Sequence, residues 1–140
     1  MRKRFENKVV IVTGSGSGIG ETTAIKFSEE GANVIIADIN RDTGNQVANT
    51  INDKAGKSQF IETDVSDLNS VKDMVEETVK QFGPPDVLIN NAGINVFNEP
   101  LKMSIEEWKR AFSVDLDGVW FGCQCVLPYM LSLIHISEPT

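Results

Sequence analysis

Histidine, tyrosine and cysteine are nearly missing from this chain, which has one His, one Tyr and two Cys in 140 residues. Two cysteines make no disulfide framework. Cys123 and Cys125 stand two apart, a spacing that on a helix sends the side chains to opposite faces, so they read as buried thiols rather than a redox or metal pair. With His135 as the one histidine, a zinc site has almost nothing to build from. Positive charge is also short. Thirteen basic against 20 acidic residues give a net charge of −7, and the one basic cluster, Arg2-Lys3-Arg4, is too small to recruit nucleic acid or anionic lipid. Long apolar runs are absent near the N-terminus, where Val9-Val10-Ile11-Val12 is neither a secretory leader nor a membrane span. The expectation is a cytoplasmic protein in a reduced compartment, with no nucleic-acid, membrane or metal partner.

What remains is ordinary globular composition, 41% apolar and 24% charged, in a length that suits one domain. Short β-rich runs alternate with longer helical periodicity. Lys8 to Thr13 is an unbroken apolar strand of the kind covered on both faces. A helix then runs to about Glu30, with Ala24, Ile25 and Phe27 inward and Gly31 as its stop. Val34 to Ala37 is a second strand ending at Asp38. A helix from Arg41 to Lys54 follows, and a third strand marked by Phe60 and Ile61 ends at Asp64-Val65. Val71, Met74, Val75, Val79 and Phe82 draw one helical stripe, with Ser66 or Asp67 as its cap and Gly83-Pro84-Pro85 as its end. Val87-Leu88-Ile89 is a fourth strand. Ser104 with Glu107 makes a capping box, and a further helix is expected from about Phe112 to Met130. This alternation implies α/β architecture, a parallel sheet with right-handed crossovers.

The first strand runs into Thr13-Gly14-Ser15-Gly16-Ser17-Gly18-Ile19-Gly20. The G-x-G-x-x-G spacing fails in both frames; the spacing that works is Gly14-x-x-x-Gly18-x-Gly20. Glycines there permit a tight turn, let the backbone approach a pyrophosphate and leave room for the helix on the strand. The helix N-terminus adds free N–H groups and a positive dipole end. Asp38 closes the next strand 20 residues beyond Gly18, where a carboxylate can hold the adenosine ribose hydroxyls and repel a 2′-phosphate. The pattern therefore favours NAD over NADP, tempered by Arg41 nearby.

These residues, with Asp64-Val65 and Asn90-Asn91-Ala92-Gly93, resemble the short-chain dehydrogenase/reductase family over about residues 5 to 130. The resemblance implies a Rossmann-type, doubly wound parallel sheet. It also implies a nicotinamide cofactor, and reversible oxidation of a small-molecule alcohol or reduction of a ketone. Carried over residue by residue, Gly14, Ser17, Gly18, Ile19 and Gly20 would face the pyrophosphate and Asp38 the ribose. Asp64 and Val65 would flank the adenine, and Asn91, Ala92 and Gly93 would line the cofactor. A plain turn ending a strand is the other reading of Asn90 to Gly93, and the two are compatible. The family also implies a homo-oligomer.

Two departures stand out. Where the family has a catalytic Asn in a Val-Asn-Leu stretch, this chain has Val114-Asp115-Leu116. Asp115 is either a proton-relay residue, raising the pKa of a catalytic Lys by its charge, or a surface aspartate of a helix. Second, the family's chemistry needs a Ser and a Tyr-x-x-x-Lys pair. The one tyrosine, Tyr129, is followed four residues on by Leu133, and no lysine comes after Lys109. The sequence thus predicts residues 1–130 as a cofactor-binding Rossmann domain with about four strands, inactive as it stands. Residues 131–140 read as a non-native tail, resembling translated sequencing-adapter read-through, or else as a genuine variant terminus, so His135 and Ser137 receive no catalytic role. The competing functions are a non-catalytic NAD-binding module and part of an NADPH-dependent 3-oxoacyl reductase.

Overall fold

In the computed structural model, residues 2–136 are described. Val9–Thr13 forms strand β1, buried along its whole length. Gly18–Glu29 is helix α1, Asn33–Asp38 is β2, Arg41–Asp53 is α2 and Lys57–Glu62 is β3. Leu68–Phe82 is α3 and Val87–Ile89 is β4. Ile105–Phe112 is α4, Ser113–Asp117 a π-helical turn, and Gly118–Ile136 is α5. The four strands are parallel in the order β3-β2-β1-β4, so the chain crosses from one side of β1 to the other between β3 and β4. That reversal is the topological switch point of a Rossmann-type sheet, and it opens a crevice at the carboxyl ends of β1 and β4.

The apolar strands are explained by their period of two. Val10 and Val12 of β1, with Val34 and Ile36 of β2, face Ala24 of α1 and Val47, Ala48 and Ile51 of α2. Their alternates Ile11, Ile35 and Ala37 face Val71, Met74 and Val75 of α3 and Val126 of α5. Both faces are covered, so no residue of β1 is free to be polar until Thr13. Helix α3 begins at Asp67, whose carboxylate accepts from the Asn69 amide at 2.9 Å, which settles the cap between Ser66 and Asp67.

Three expectations need correction. β3 ends at Glu62 rather than at Asp64-Val65. The Thr63 amide still reaches the Asp38 carbonyl at 2.9 Å, but Asp64 then accepts from the Ser66 amide at 3.0 Å, a side-chain turn that breaks the strand. Phe112 closes α4 rather than opening a new helix, because the π-helical turn carries the chain on into α5 without a break. Cys123 is exposed, not buried; Cys125 is half-buried, and burial pushes its thiol pKa up. Of the segment 131–140, α5 runs on to Ile136, while Ser137 and the three residues after it lie outside the described residues. None of the described helices is long and apolar enough to cross a membrane.

Candidate cofactor-binding site

The crevice at the switch point is a cleft of about 630 Å³, and Gly14, Ser17, Asp38, Asp64, Asn91 and Ala92 are among the residues lining it. Val65 and Gly93 line it too. Eight of the expected residues therefore converge from four separate loops. Gly18, Ile19 and Gly20 form the first turn of α1 and are not among the residues lining the cleft; Ile19 is 80% exposed, and with Gly18 it lines a separate surface pocket beside Phe5 and Thr22.

The glycine loop is fixed by contacts no other residue could make. At Gly14, φ is +64° and a Cβ would lie 2.7 Å from the Ala92 Cα. At Gly20 a Cβ would come within 2.3 Å of the Gly14 carbonyl oxygen and 2.4 Å of the Asn91 amide nitrogen. The first seats the glycine loop on the segment after β4, and the second brings α1 against that loop and Asn91. Asn40, Asp67 and Ser104 cap α2, α3 and α4 with their side chains, whereas Ser17 makes no such bond at the start of α1. The first N–H groups of α1 are thus left for another acceptor.

Asp38 anchors the adjoining side. One carboxylate oxygen accepts from the Gly16 amide and the other from the Asn40 amide, each at 2.8 Å. Arg41 does not pair with it. Its guanidinium donates from Nε at 3.1 Å, and also from Nη2, to Glu62 Oε2. That hydrogen bond and the charge of Glu62 push the Arg41 pKa up, keeping it firmly cationic.

On the far side, Thr13 Oγ1 accepts from the amides of Asn91 at 3.1 Å and Ala92 at 3.0 Å. Asp64 accepts from the Ser66 hydroxyl at 2.6 Å as well as from its amide. Val65 is buried in the core cluster under α3 and α5, so only part of it meets the cleft. Asp115 lies on the π-helical turn, exposed, and its Oδ1 accepts from the Ile94 amide at 2.8 Å. This places it at the mouth of the cleft, tied to the loop after Gly93, rather than on an unattached helix face.

Several participants went unforeseen. Beyond its place in the glycine motif, Thr13 organises the Asn91 and Ala92 amides through its hydroxyl. Arg110, Ser113 and Val114 also line the cleft. They stand at i, i+3 and i+4, one helical face, which was the available signal. Glu62 carried no sequence signal beyond its position.

These residues fit a dinucleotide: a glycine loop with left-handed backbone at Gly14 and Gly18 and no side chain above Gly18, a helix start without a side-chain cap, and a carboxylate closing the second strand. The short chain dehydrogenase family model matches residues 8–136. The chain is 42% identical over 128 residues to the meso-2,3-butanediol dehydrogenase of Serratia marcescens, covering 91% of this chain and 50% of that protein. It is 40% identical over 144 residues to an NADP-dependent (R)-specific alcohol dehydrogenase of Lentilactobacillus kefiri, covering 99% and 57%. A crystal structure of hydroxysteroid dehydrogenase from Escherichia coli shares the fold with a TM-score of 0.88 at 30% identity, covering 94% of this chain and 56% of that one. The chain spans about half the length of the curated relatives it matches.

Proposed function

The chain belongs to the short-chain dehydrogenase family, and from that premise we propose that residues 1–130 form the NAD-binding part of an oxidoreductase acting between an alcohol and a ketone. The family relationship supports an oxidoreductase with an NAD(P) cofactor. The choice of NAD rests on one observation, the Asp38 carboxylate at the end of β2, bonded to the Gly16 amide of the glycine loop.

The cofactor supplies the hydride acceptor or donor at its nicotinamide C4. The protein's part is to bind and orient. Asp38 would accept hydrogen bonds from the adenosine ribose hydroxyls, and its negative charge would oppose a 2′-phosphate. The amides at the start of α1, from Gly18 to Gly20, would take the pyrophosphate, with Gly14 and Ser17 beside them. Asp64 and the exposed edge of Val65 would border the adenine. Asn91, Ala92 and Gly93 would form the wall beneath the rest of the cofactor.

Proton transfer to the substrate oxygen needs an acid that these residues do not supply, since no Tyr-x-x-x-Lys occurs among them. We therefore hold the 140-residue chain to be inactive as an enzyme while competent to bind cofactor. Asp115 would act by fixing the Ile94 loop rather than by touching substrate.

An NADPH-dependent 3-oxoacyl reductase is the second reading, favoured by the chain's 36% identity over 140 residues to a 3-oxoacyl-[acyl-carrier-protein] reductase of Thermotoga maritima. Titration of the full 140-residue chain with NADH and with NADPH separates the two. The expected result is NADH at least about tenfold tighter, with the preference lost in Asp38→Ala. Equal or tighter NADPH binding would overturn the NAD reading, and turnover of a secondary alcohol by this chain would overturn its inactivity.

A further inference from the structure

Glu62 is the last residue of β3, and in the parallel register it stands directly beside Asp38, the last residue of β2. Two carboxylates thus end adjacent strands, Asp38 lining the cleft and Glu62 next to it in the sheet. They are used differently. Both oxygens of Asp38 are taken by backbone amides, those of Gly16 and Asn40. Glu62 instead holds Arg41, which gives Nε and Nη2 to a single carboxylate oxygen. Arg41 is the cation nearest to Asp38 in sequence, and its backbone is pinned as the first residue of α2, behind the Asn40 cap.

A guanidinium in that position is the group a 2′-phosphate would recruit, because its donors match phosphate oxygens two at a time. We propose that Glu62 is a positioning residue for cofactor choice, holding Arg41 away from the ribose and so denying a 2′-phosphate its counter-charge. The inference rests on the NAD reading above and deepens it: Asp38 repels the phosphate directly, and Glu62 withholds the cation that could offset the repulsion. Together the three side chains carry a net charge of −1. Removing Glu62 brings that to zero and frees Arg41 as well.

The ion pair is solvated, with side chains 72% and 50% exposed, so Arg41 is held reversibly and the effect is modest. Tryptophan quenching on the full chain, which has two Trp, gives the affinities for NADPH and NADH. Glu62→Gln is expected to bind NADPH about three- to tenfold more tightly, with NADH affinity within about twofold and the gain shrinking as salt rises. In the double variant Arg41→Ala/Glu62→Gln the gain should vanish. A gain that survives in the double variant means simple charge removal and overturns the role of Arg41. Arg41→Ala alone should leave NADPH affinity unchanged, because Arg41 is already held aside; a severalfold loss there overturns the proposal even if Glu62→Gln does not fold. Failure of the NAD reading is a separate outcome, visible in the unsubstituted chain as NADPH binding as tight as NADH.

Discussion

The side-chain amide of Asn91 donates to the carbonyl oxygens of Thr13 and Gly14, at 3.0 and 3.2 Å. Thr13 answers through its hydroxyl, which accepts from the Asn91 amide of the backbone. The two residues end neighbouring strands, so this exchange closes the crevice where the sheet reverses. It also satisfies carbonyls that the strand ladder has left behind, since β1 and β4 pair only as far as Val12 and Ile89.

Replacing Asn91 by Ala removes both donors at once. Half-buried carbonyls lose their partners, which costs about 1–3 kcal/mol. Urea unfolding should show the midpoint falling, and NADH binding should weaken with it because Gly14 is no longer held. An unchanged midpoint in Asn91→Ala would show that water replaces the amide without loss.

Gly14 and Gly18 separate close approach from backbone conformation. Both have positive φ, +64° and +59°, but only Gly14 has a neighbour where a Cβ would go. Gly18→Ala should therefore cost only the left-handed conformation, about 1–2 kcal/mol. Gly14→Ala must in addition push Ala92 away, so NADH binding should be lost. Equal losses in the two variants, measured by thermal unfolding and NADH titration, would contradict this.

Much of this was legible in the sequence because one physical cause dominated each feature. The β1 run is apolar on both sides because helices cover both faces, and the glycine spacing reports contacts that tolerate no side chain. The switch between Asp64 as strand and Asp64 as turn was not legible. It depends on a side-chain bond to Ser66 that competes locally with the ladder. The Glu62–Arg41 pair was hidden for another reason: register across strands sets which carboxylates become neighbours, and no spacing along the chain encodes it.

Asp115 offers a test of what its carboxylate does. Its Oδ1 accepts from the Ile94 amide, and an asparagine there presents the same acceptor. Asp115→Asn should leave stability and NADH affinity nearly unchanged, whereas Asp115→Ala should raise hydrogen exchange at Ile94. Loss of NADH binding in Asp115→Asn alone would instead assign the charge itself a role.

Glu107 gives a pH dependence with a defined sign. The Ser104 backbone amide, then Asn98, hold its carboxyl below the ordinary value of 4.5. A depressed folded-state pKa contributes stability that is present above the unfolded value and lost as pH falls through the folded one. Glu107→Gln keeps a capping acceptor that does not titrate. The unfolding midpoints of the two chains should therefore converge or cross on acidification below about pH 4.5, and a gap independent of pH would count against the capping carboxylate.

Self-association is the expected behaviour of the 140-residue chain in solution. Among the described residues β4 is paired on one side only, by β1, and it is three residues of Val, Leu and Ile. An unpaired strand edge is a template for another chain. Along α4 and α5, Trp108, Phe112, Leu116, Trp120 and Leu127 are each between 44% and 64% exposed, at helical spacings that put most of them on one side. Even a few hundred Å² of such surface, at about 25 cal/mol per Å², is worth several kcal/mol when covered. The net charge of −7 opposes association but is screened at physiological salt. Sedimentation velocity should therefore find dimers or larger species at micromolar concentration. Trp120→Glu should shift the distribution toward monomer without altering NADH affinity, since Trp120 is not among the residues lining the cleft. A sharp monomer peak for the unsubstituted chain would mean that neither the β4 edge nor the α4–α5 face drives assembly.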